Sequence, residues 1–193
     1  MIAAENLGVR FANRWIFRGL DFEFALGQTV AVLGRNGSGK STLLRVLGKL
    51  LRPTEGAVRL PNGEPRRILG YAALDMALYS DLSVQEHLIL TGSLRGCPPK
   101  TEELLDFVGL SPSARVAAGD LSTGMRVRLK LAIAVQSEPS VLLLDEPSAS
   151  LDAPGRKLLT EICDRQSRRG CTVLATNDPL EREVATHELS LDL

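Results

Sequence analysis

The chain has 193 residues, of which 44% are hydrophobic and 24% charged, enough for one domain with a substantial core. Its 23 basic residues balance its 23 acidic ones, which argues against a broad electrostatic grip on nucleic acid or on an anionic membrane. No apolar run approaches the ~20 residues that cross a bilayer, the opening "MIAAENLGVRF" lacks the layout of a signal peptide, and Cys97, Cys163 and Cys171 lack metal-ligand spacing and read as free thiols of a reducing, cytosolic compartment.

In chain order, "IAAENLGVRF" (2 to 11) reads as a short strand. "LDFEF" (20 to 24) alternates Leu20, Phe22 and Phe24 against Asp21 and Glu23, the pattern of a half-buried strand. "TVAVLG" (29 to 34) is a short apolar run ending in glycine, hence a buried strand, and "KSTLLRVLGKLL" (40 to 51) is a buried helix stopped by Pro53. "GAVRLPNGE" is another short strand with a turn signal at Asn62-Gly63, so the first third carries an antiparallel edge sheet. From about Tyr79 to Val135 the pattern is helical. "LSVQEHLILTGSL" opens on a capping box of Ser83 and Glu86 and closes at Gly96 and Pro98-Pro99. "KTEELLDFVGL" ends at Gly109, and "GMRVRLKLAIAVQS" is a third helix. "VLLLD" (141 to 145) and "CTVLAT" (171 to 176) are apolar strands of the parallel type, joined by the crossover helix "PGRKLLTEICDRQSRRG". There is no internal repeat.

"GRNGSGKS", Gly34 to Ser41, fits G-x-x-x-x-G-K-[ST] between a predicted strand and a predicted helix. Such glycines let successive backbone N–H groups turn inward around phosphate oxygens. Lys40 brings a point charge to the β- and γ-phosphates, and Ser41 offers a hydroxyl to Mg²⁺. "VLLLDEP" places Asp145 and Glu146 at the C-terminal end of a buried strand, the edge where open α/β sheets bind ligands. Asp145 would hold Mg²⁺ through water, and Glu146 would orient and deprotonate an attacking water. The other use of such a pair is a solvated helix cap. "LSTGM" opens a helix whose N-terminus suits an anion, and by itself is a capped helix start.

"GRNGSGKST", "LSTGM", "LLLDEP" and "SASLD" stand in the order and approximate spacing found in ATP-binding-cassette (ABC) ATPases, and over essentially its whole length the chain resembles that family. The resemblance implies an α/β fold: a phosphate-loop NTPase core with a mostly parallel sheet, an N-terminal antiparallel β subdomain and an inserted α-helical signature subdomain. It implies one domain over 1–193, with 1–75 and 138–193 as the core and 76–137 as the helical part. Nucleotide contacts fall on Phe11, Gly34, Arg35, Asn36, Gly37, Ser38, Gly39, Lys40, Ser41 and Thr42. Phe11 would stack on adenine; a core or edge phenylalanine is the equal alternative. Ser122, Thr123, Gly124 and Met125 would contact ATP held by a second subunit, and Asp152 would couple the two sites. Thr123 and Met125 replace the Gly and Gln of the family signature, whereas Gly124 is kept. The segment 70–88 would form a groove for a coupling helix of the transporter.

Two positions depart from the family. Leu74 stands where glutamine is usual and cannot coordinate Mg²⁺ or hold a water; the adjacent Asp75 is the candidate substitute. Asn177 stands at the switch histidine, where it can donate a hydrogen bond to a γ-phosphate but carry no charge. His187, near a terminal strand, is expected at the surface. The implied function is an ATPase using ATP and Mg²⁺, with Glu146, Lys40 and Asn177 as catalytic residues. It would dimerise on ATP with a second ABC subunit and drive a separate integral membrane permease from the cytoplasmic face, without nucleic acid. The short helical region and "STGMRVRLKLA" are most similar to small haem-exporter ATPases of cytochrome c biogenesis. The alternative is a regulatory ATP-binding module with weak turnover, owing to Leu74 and Asn177. Translation and DNA-repair ATPases of the family carry paired cassettes or long coiled coils, which are missing here.

Overall fold

The computed structural model describes residues 1–98 and 100–191, and the chain enters it through a hairpin. Strands β1 (Ile2–Phe11) and β2 (Arg14–Phe24) pair antiparallel. Along β2, Leu20 and Phe24 are buried while Asp21 and Glu23 face solvent, the expected alternation. Strand β3 (Thr29–Leu33) leaves this sheet and runs through the glycine-rich loop into α1 (Lys40–Leu47). Strand β4 (Glu55–Arg59) returns to β1, giving the order β2-β1-β4. Helix α1 ends at Gly48 rather than continuing toward Pro53. The Gly48 N–H bonds back to Leu44 O, and Lys49 takes φ 58, which turns the chain out of the helix. Asn62-Gly63 makes a bend that leads to the single turn α2 (Pro65–Ile68), not a hairpin.

Strand β5 (Leu69–Ala73) lies where the sequence shows no strand pattern, at the start of the segment expected to receive a coupling helix. "LGYAA" has no β-branched residue; it is a strand because it pairs in parallel with a neighbour and lies under a helix. Gly70 is needed there, since a Cβ would sit 2.2 Å from the Ala134 carbonyl. Helices α3 (Val84–Arg95), α4 (Thr101–Phe107) and α5 (Thr123–Val135) make up the middle of the chain. Helix α3 opens on the capping box: Ser83 Oγ accepts from the Glu86 N–H, and Glu86 Oε2 accepts from the Ser83 N–H at 2.8 Å. Pro99 and the last two residues of the expected core lie outside the described residues.

Strand β6 (Val141–Asp145), α6 (Ala153–Ser167), β7 (Cys171–Ala175), α7 (Pro179–Val184) and β8 (His187–Ser190) complete the chain. The second sheet is parallel throughout, in the order β5-β6-β7-β3-β8. Strands β6 and β7 are buried over their full length, as continuous apolar runs require when both faces are covered. Side chains alternate between the faces. Val141 and Leu143 pack with α1 and the antiparallel sheet, whereas Leu142 and Leu144 pack with α3, α5 and α6. The expected α/β architecture, a parallel sheet joined to an antiparallel β part and a helical insertion, is what the chain adopts. His187 lies on β8 at the surface, hydrogen-bonded to Gln28 and Thr186. No helix among the described residues is long and apolar enough to cross a membrane.

Candidate functional site

Strand register gathers the chemistry-bearing residues on one sheet edge. Val32 of β3 is level with Ala175 of β7, and Ala175 is level with Asp145 of β6. Two residues beyond Val32 lies Gly34, two beyond Ala175 lies Asn177, and one beyond Asp145 lies Glu146. All three strands run the same way, so this is the C-terminal edge.

The loop from Gly34 turns on glycines with positive φ: Gly34 at 152, Gly37 at 84 and Gly39 at 105. Gly39 also has no room for a side chain, since a Cβ would come within 2.5 Å of Ile16 Cγ2. The Ser38 N–H bonds to Arg35 O at 3.0 Å, which curls the loop. Helix α1 then begins with no capping side chain and no acid in its first turn, leaving its positive end open for an anion. A cleft of about 310 Å³ sits over this end, lined by Asn36, Gly37, Lys40, Ser41, Thr42 and Glu146, with Ile16 and Gly39 at its wall. Lys40 is only 7% exposed. Its Nζ donates to Gly34 O at 2.7 Å and to Asn177 Oδ1 at 3.2 Å. The Asn177 amide nitrogen donates to Asn36 Oδ1 at 2.8 Å. Asn177 therefore bridges the two ends of the loop.

Asp145 is 7% exposed, and its Oδ1 is buried without a hydrogen-bond partner. Burial raises the proton affinity of this carboxyl; the hydrogen bond from Ser41 opposes it. Glu146 takes φ 49, a left-handed conformation for a non-glycine residue, with its N–H bonded to Ala175 O at 2.9 Å. Burial raises its pKa as well, Lys40 opposes, and the charges of Glu181 and Asp145 add to the rise.

Other expected residues lie apart from this cleft. Phe11 is at the hairpin end of β1 and 49% exposed, while Ile16, which no sequence pattern marks, lines the cleft. Ser122 caps α5, accepting from the Met125 N–H, and Ser122 and Thr123 are exposed. Gly124 is close to the "SASLD" turn: a Cβ there would be 3.1 Å from Ser150 O. Asp152 caps α6, and both that contact with the Gly155 N–H and its 2.6 Å bond from Arg128 hold its carboxyl below the usual range. The structure thus sets Gly124 beside Ser150 of the turn that leads to Asp152, and ties Asp152 itself to Arg128, further along α5. Leu74 points outward, 47% exposed, and its carbonyl accepts from the buried Lys130 of α5. Asp75 pairs with Arg45 of α1. The Lys130 contact leaves no mark in the residue pattern, because it runs to a main-chain oxygen.

A family profile described as "ABC transporter" matches residues 17–149. The chain belongs to the ABC transporter family. It is the ATP-binding ATPase domain of that family. It is 35% identical to the lipoprotein-releasing system ATP-binding protein LolD 1 of Rhodopirellula baltica, over 91% of this chain and 81% of that protein. It is also 35% identical to the cytochrome c biogenesis ATP-binding export protein CcmA of Rhizobium etli, over 93% of this chain and 89% of that protein. Among solved structures, the dimeric ABC transporter cassette MJ0796 shares the fold, with a TM-score of 0.87 at 22% identity over 99% of this chain and 95% of that one.

Proposed function

We propose that the chain is the ATP-hydrolysing subunit of a transporter whose permease is a separate protein, and that two such cassettes close over two ATP molecules. The observation that carries this reading is the separation of the two halves of the site. The phosphate loop, Asp145, Glu146 and Asn177 share one sheet edge, while Ser122–Met125 opens α5 outside the cleft that loop forms, with Ser122 and Thr123 exposed. A second copy would bring its own Ser122–Met125 and Asp152 over the open cleft. Residues 1–193 would act as one domain, with 1–75 and 138–193 as the core and 76–137 as the part that closes.

Each site residue has a task in this reading. Backbone N–H groups of Gly34 to Thr42 and the α1 N-terminus cradle the phosphates. Phe11, exposed at the hairpin end of β1, would stack on adenine, and Ile16 lines the wall of the phosphate cleft. Lys40 exchanges Gly34 O and Asn177 for phosphate oxygens. Asn177, released from Asn36, turns its amide N–H to the γ-phosphate. Ser41 and Asp145 fit Mg²⁺: both offer oxygen, and the Asp145 Oδ1 has no other partner. Bound there, the ion would neutralise phosphate charge. Glu146, its basicity raised by burial, takes a proton from water as the water oxygen bonds to the γ-phosphorus. The bond from that phosphorus to the β–γ bridging oxygen breaks, and ADP carries away the electron pair.

A groove of about 720 Å³ lined by Arg45, Lys49, Leu50, Tyr71, Asp75 and Met76 is the docking site we assign to the permease. For the cargo, similarity to CcmA supports an export role in cytochrome c biogenesis, for which haem is the cargo we assign, and equal identity to LolD 1 supports lipoprotein release as a second reading. A weak-turnover regulatory role draws support from Leu74 and from Asn177 bracing the loop. The test of the shared site is ATPase rate against protein concentration. Turnover per chain should rise with concentration toward a plateau; a rate per chain indifferent to dilution overturns the reading.

A further inference from the structure

Apart from Asp145, Glu181 is the only acidic side chain buried among the described residues, at 3% exposure. It sits on α7, just past Asn177. Its Oε1 accepts from the backbone N–H of Ser148 at 2.5 Å, while Oε2 is buried without a partner. Ser148 follows Glu146 by two residues. Its hydroxyl donates to Asp178 Oδ2 at 3.1 Å, an oxygen that also accepts from Arg156 at 3.1 Å. Asp178 is fixed in turn by the Leu180 N–H, which bonds to its Oδ1 at 2.9 Å. The turn from Glu146 to Asp152 closes on itself through Ala149 N to Glu146 O and Leu151 N to Ser148 O. One end carries the left-handed Glu146 and the other the exposed Asp152.

A buried carboxylate is costly unless it is well engaged. Here it is spent on one main-chain N–H, in the middle of a turn whose ends face two different nucleotides in the proposed dimer. We propose that Glu181 is a positioning residue: by holding Ser148 it sets the Glu146–Asp152 turn and makes that turn move as one body with the Asn177 segment. A change sensed at the γ-phosphate by Asn177 thereby reaches Asp152, which faces the other subunit, and a shift of Asp152 on closure reaches Glu146. Asp178 assists through the Ser148 hydroxyl. The inference rests on the shared-site reading of the cassette.

Two variants separate reach from charge. Glu181→Gln keeps an oxygen acceptor at the same distance and loses the charge; Glu181→Asp keeps the charge and is one methylene too short for Ser148. Glu181→Asp should lose about 10- to 100-fold in kcat with KM for ATP nearly unchanged, as expected for a misplaced base, and Glu181→Gln should retain most of the rate. In a Glu146→Gln background, which should trap the ATP-bound dimer, adding Glu181→Asp should weaken the dimer about tenfold, a coupling of ordinary size. Analytical ultracentrifugation with ATP reads this directly. If Glu146→Gln itself forms no dimer with ATP, the shared-site reading falls and the inference with it. If it dimerises and Glu181→Asp alters neither dimer nor kcat, Glu181 has no such role. If Glu181→Gln is as impaired as Glu181→Asp, reach is not what matters, and the proposal is overturned. A loss confined to thermal stability, with kcat intact in the folded fraction, overturns it as well.

Discussion

Lys40→Ala isolates one charge in the phosphate cleft. In the free chain Nζ has three neutral oxygen partners, Gly34 O at 2.7 Å, Asn177 Oδ1 at 3.2 Å and Arg35 O at 3.5 Å, and the side chain is almost wholly buried. ATP replaces these neutral acceptors by anionic phosphate oxygens, so on binding the ammonium gains a full ion pair that the alanine variant cannot make. A hydrogen bond to a charged group contributes roughly 1.5–3 kcal/mol, and since about 1.4 kcal/mol is a decade, the variant should bind ATP roughly 10- to 150-fold more weakly. The same truncation strips a brace from Asn177, so the nucleotide-free variant should also melt earlier. Calorimetric titration with ATP, at protein concentrations low enough to keep chains apart, measures the first effect, and a thermal melt without nucleotide the second. A Kd within about threefold of the parent, well under one decade of affinity, would refute the assignment of Lys40 to the phosphates.

Gly39→Ala should destabilise the chain by about 2–5 kcal/mol in denaturant melts, from left-handed strain and overpacking together, because φ is 105 and the new methyl would lie 2.5 Å from Ile16 Cγ2; an unchanged midpoint would mean the cleft wall yields freely. Asn177→Ala should cut turnover by roughly 10²–10³, the usual effect of losing one donor to transition-state charge, whereas Asn177→His should keep the parent rate; a large gain in the histidine variant would favour the weak-turnover reading. Burial pushes the Cys163 thiol up to about 12 and the Cys171 thiol up to about 11. Of the three thiols, only the half-buried Cys97 should therefore react quickly with a thiol reagent at pH 8 in the folded chain, and a count of three at once would contradict the packing. The sign of the linked effect is fixed: unfolded thiols ionise near pH ~8.5 while the buried ones stay protonated, so their contribution is complete below that pH and declines as pH rises toward their folded values.

Much of this molecule is written locally. The β3–loop–α1 unit is legible because glycines at Gly34, Gly37 and Gly39 answer a backbone demand that the loop itself creates. The α3 cap is legible because Ser83 and Glu86 satisfy each other three residues apart. What escaped the sequence depends on partners distant along the chain. β5 is a strand because β6 and α5 enclose it, not because "LGYAA" favours one. Helix α1 ends at Gly48, where a local capping bond forms, before the more conspicuous Pro53 is reached. Ile16 belongs to the cleft only because the hairpin folds it against Gly39. Asp75, the candidate stand-in for a glutamine at 74, is instead paired with Arg45, because the chain turns at Leu74–Asp75, just past β5.

Lys130 grips the oxygen of a peptide unit at position 74, not the side chain it bears. A carbonyl is the same whichever amino acid supplies it, so this link between the α5 helix and the end of β5 is blind to substitution at that position. The outward Leu74 can drift toward any residue with ordinary backbone freedom and the tether survives. Lys130 has no such latitude: the hold depends on a long stem that carries its cation through an apolar layer to one fixed acceptor.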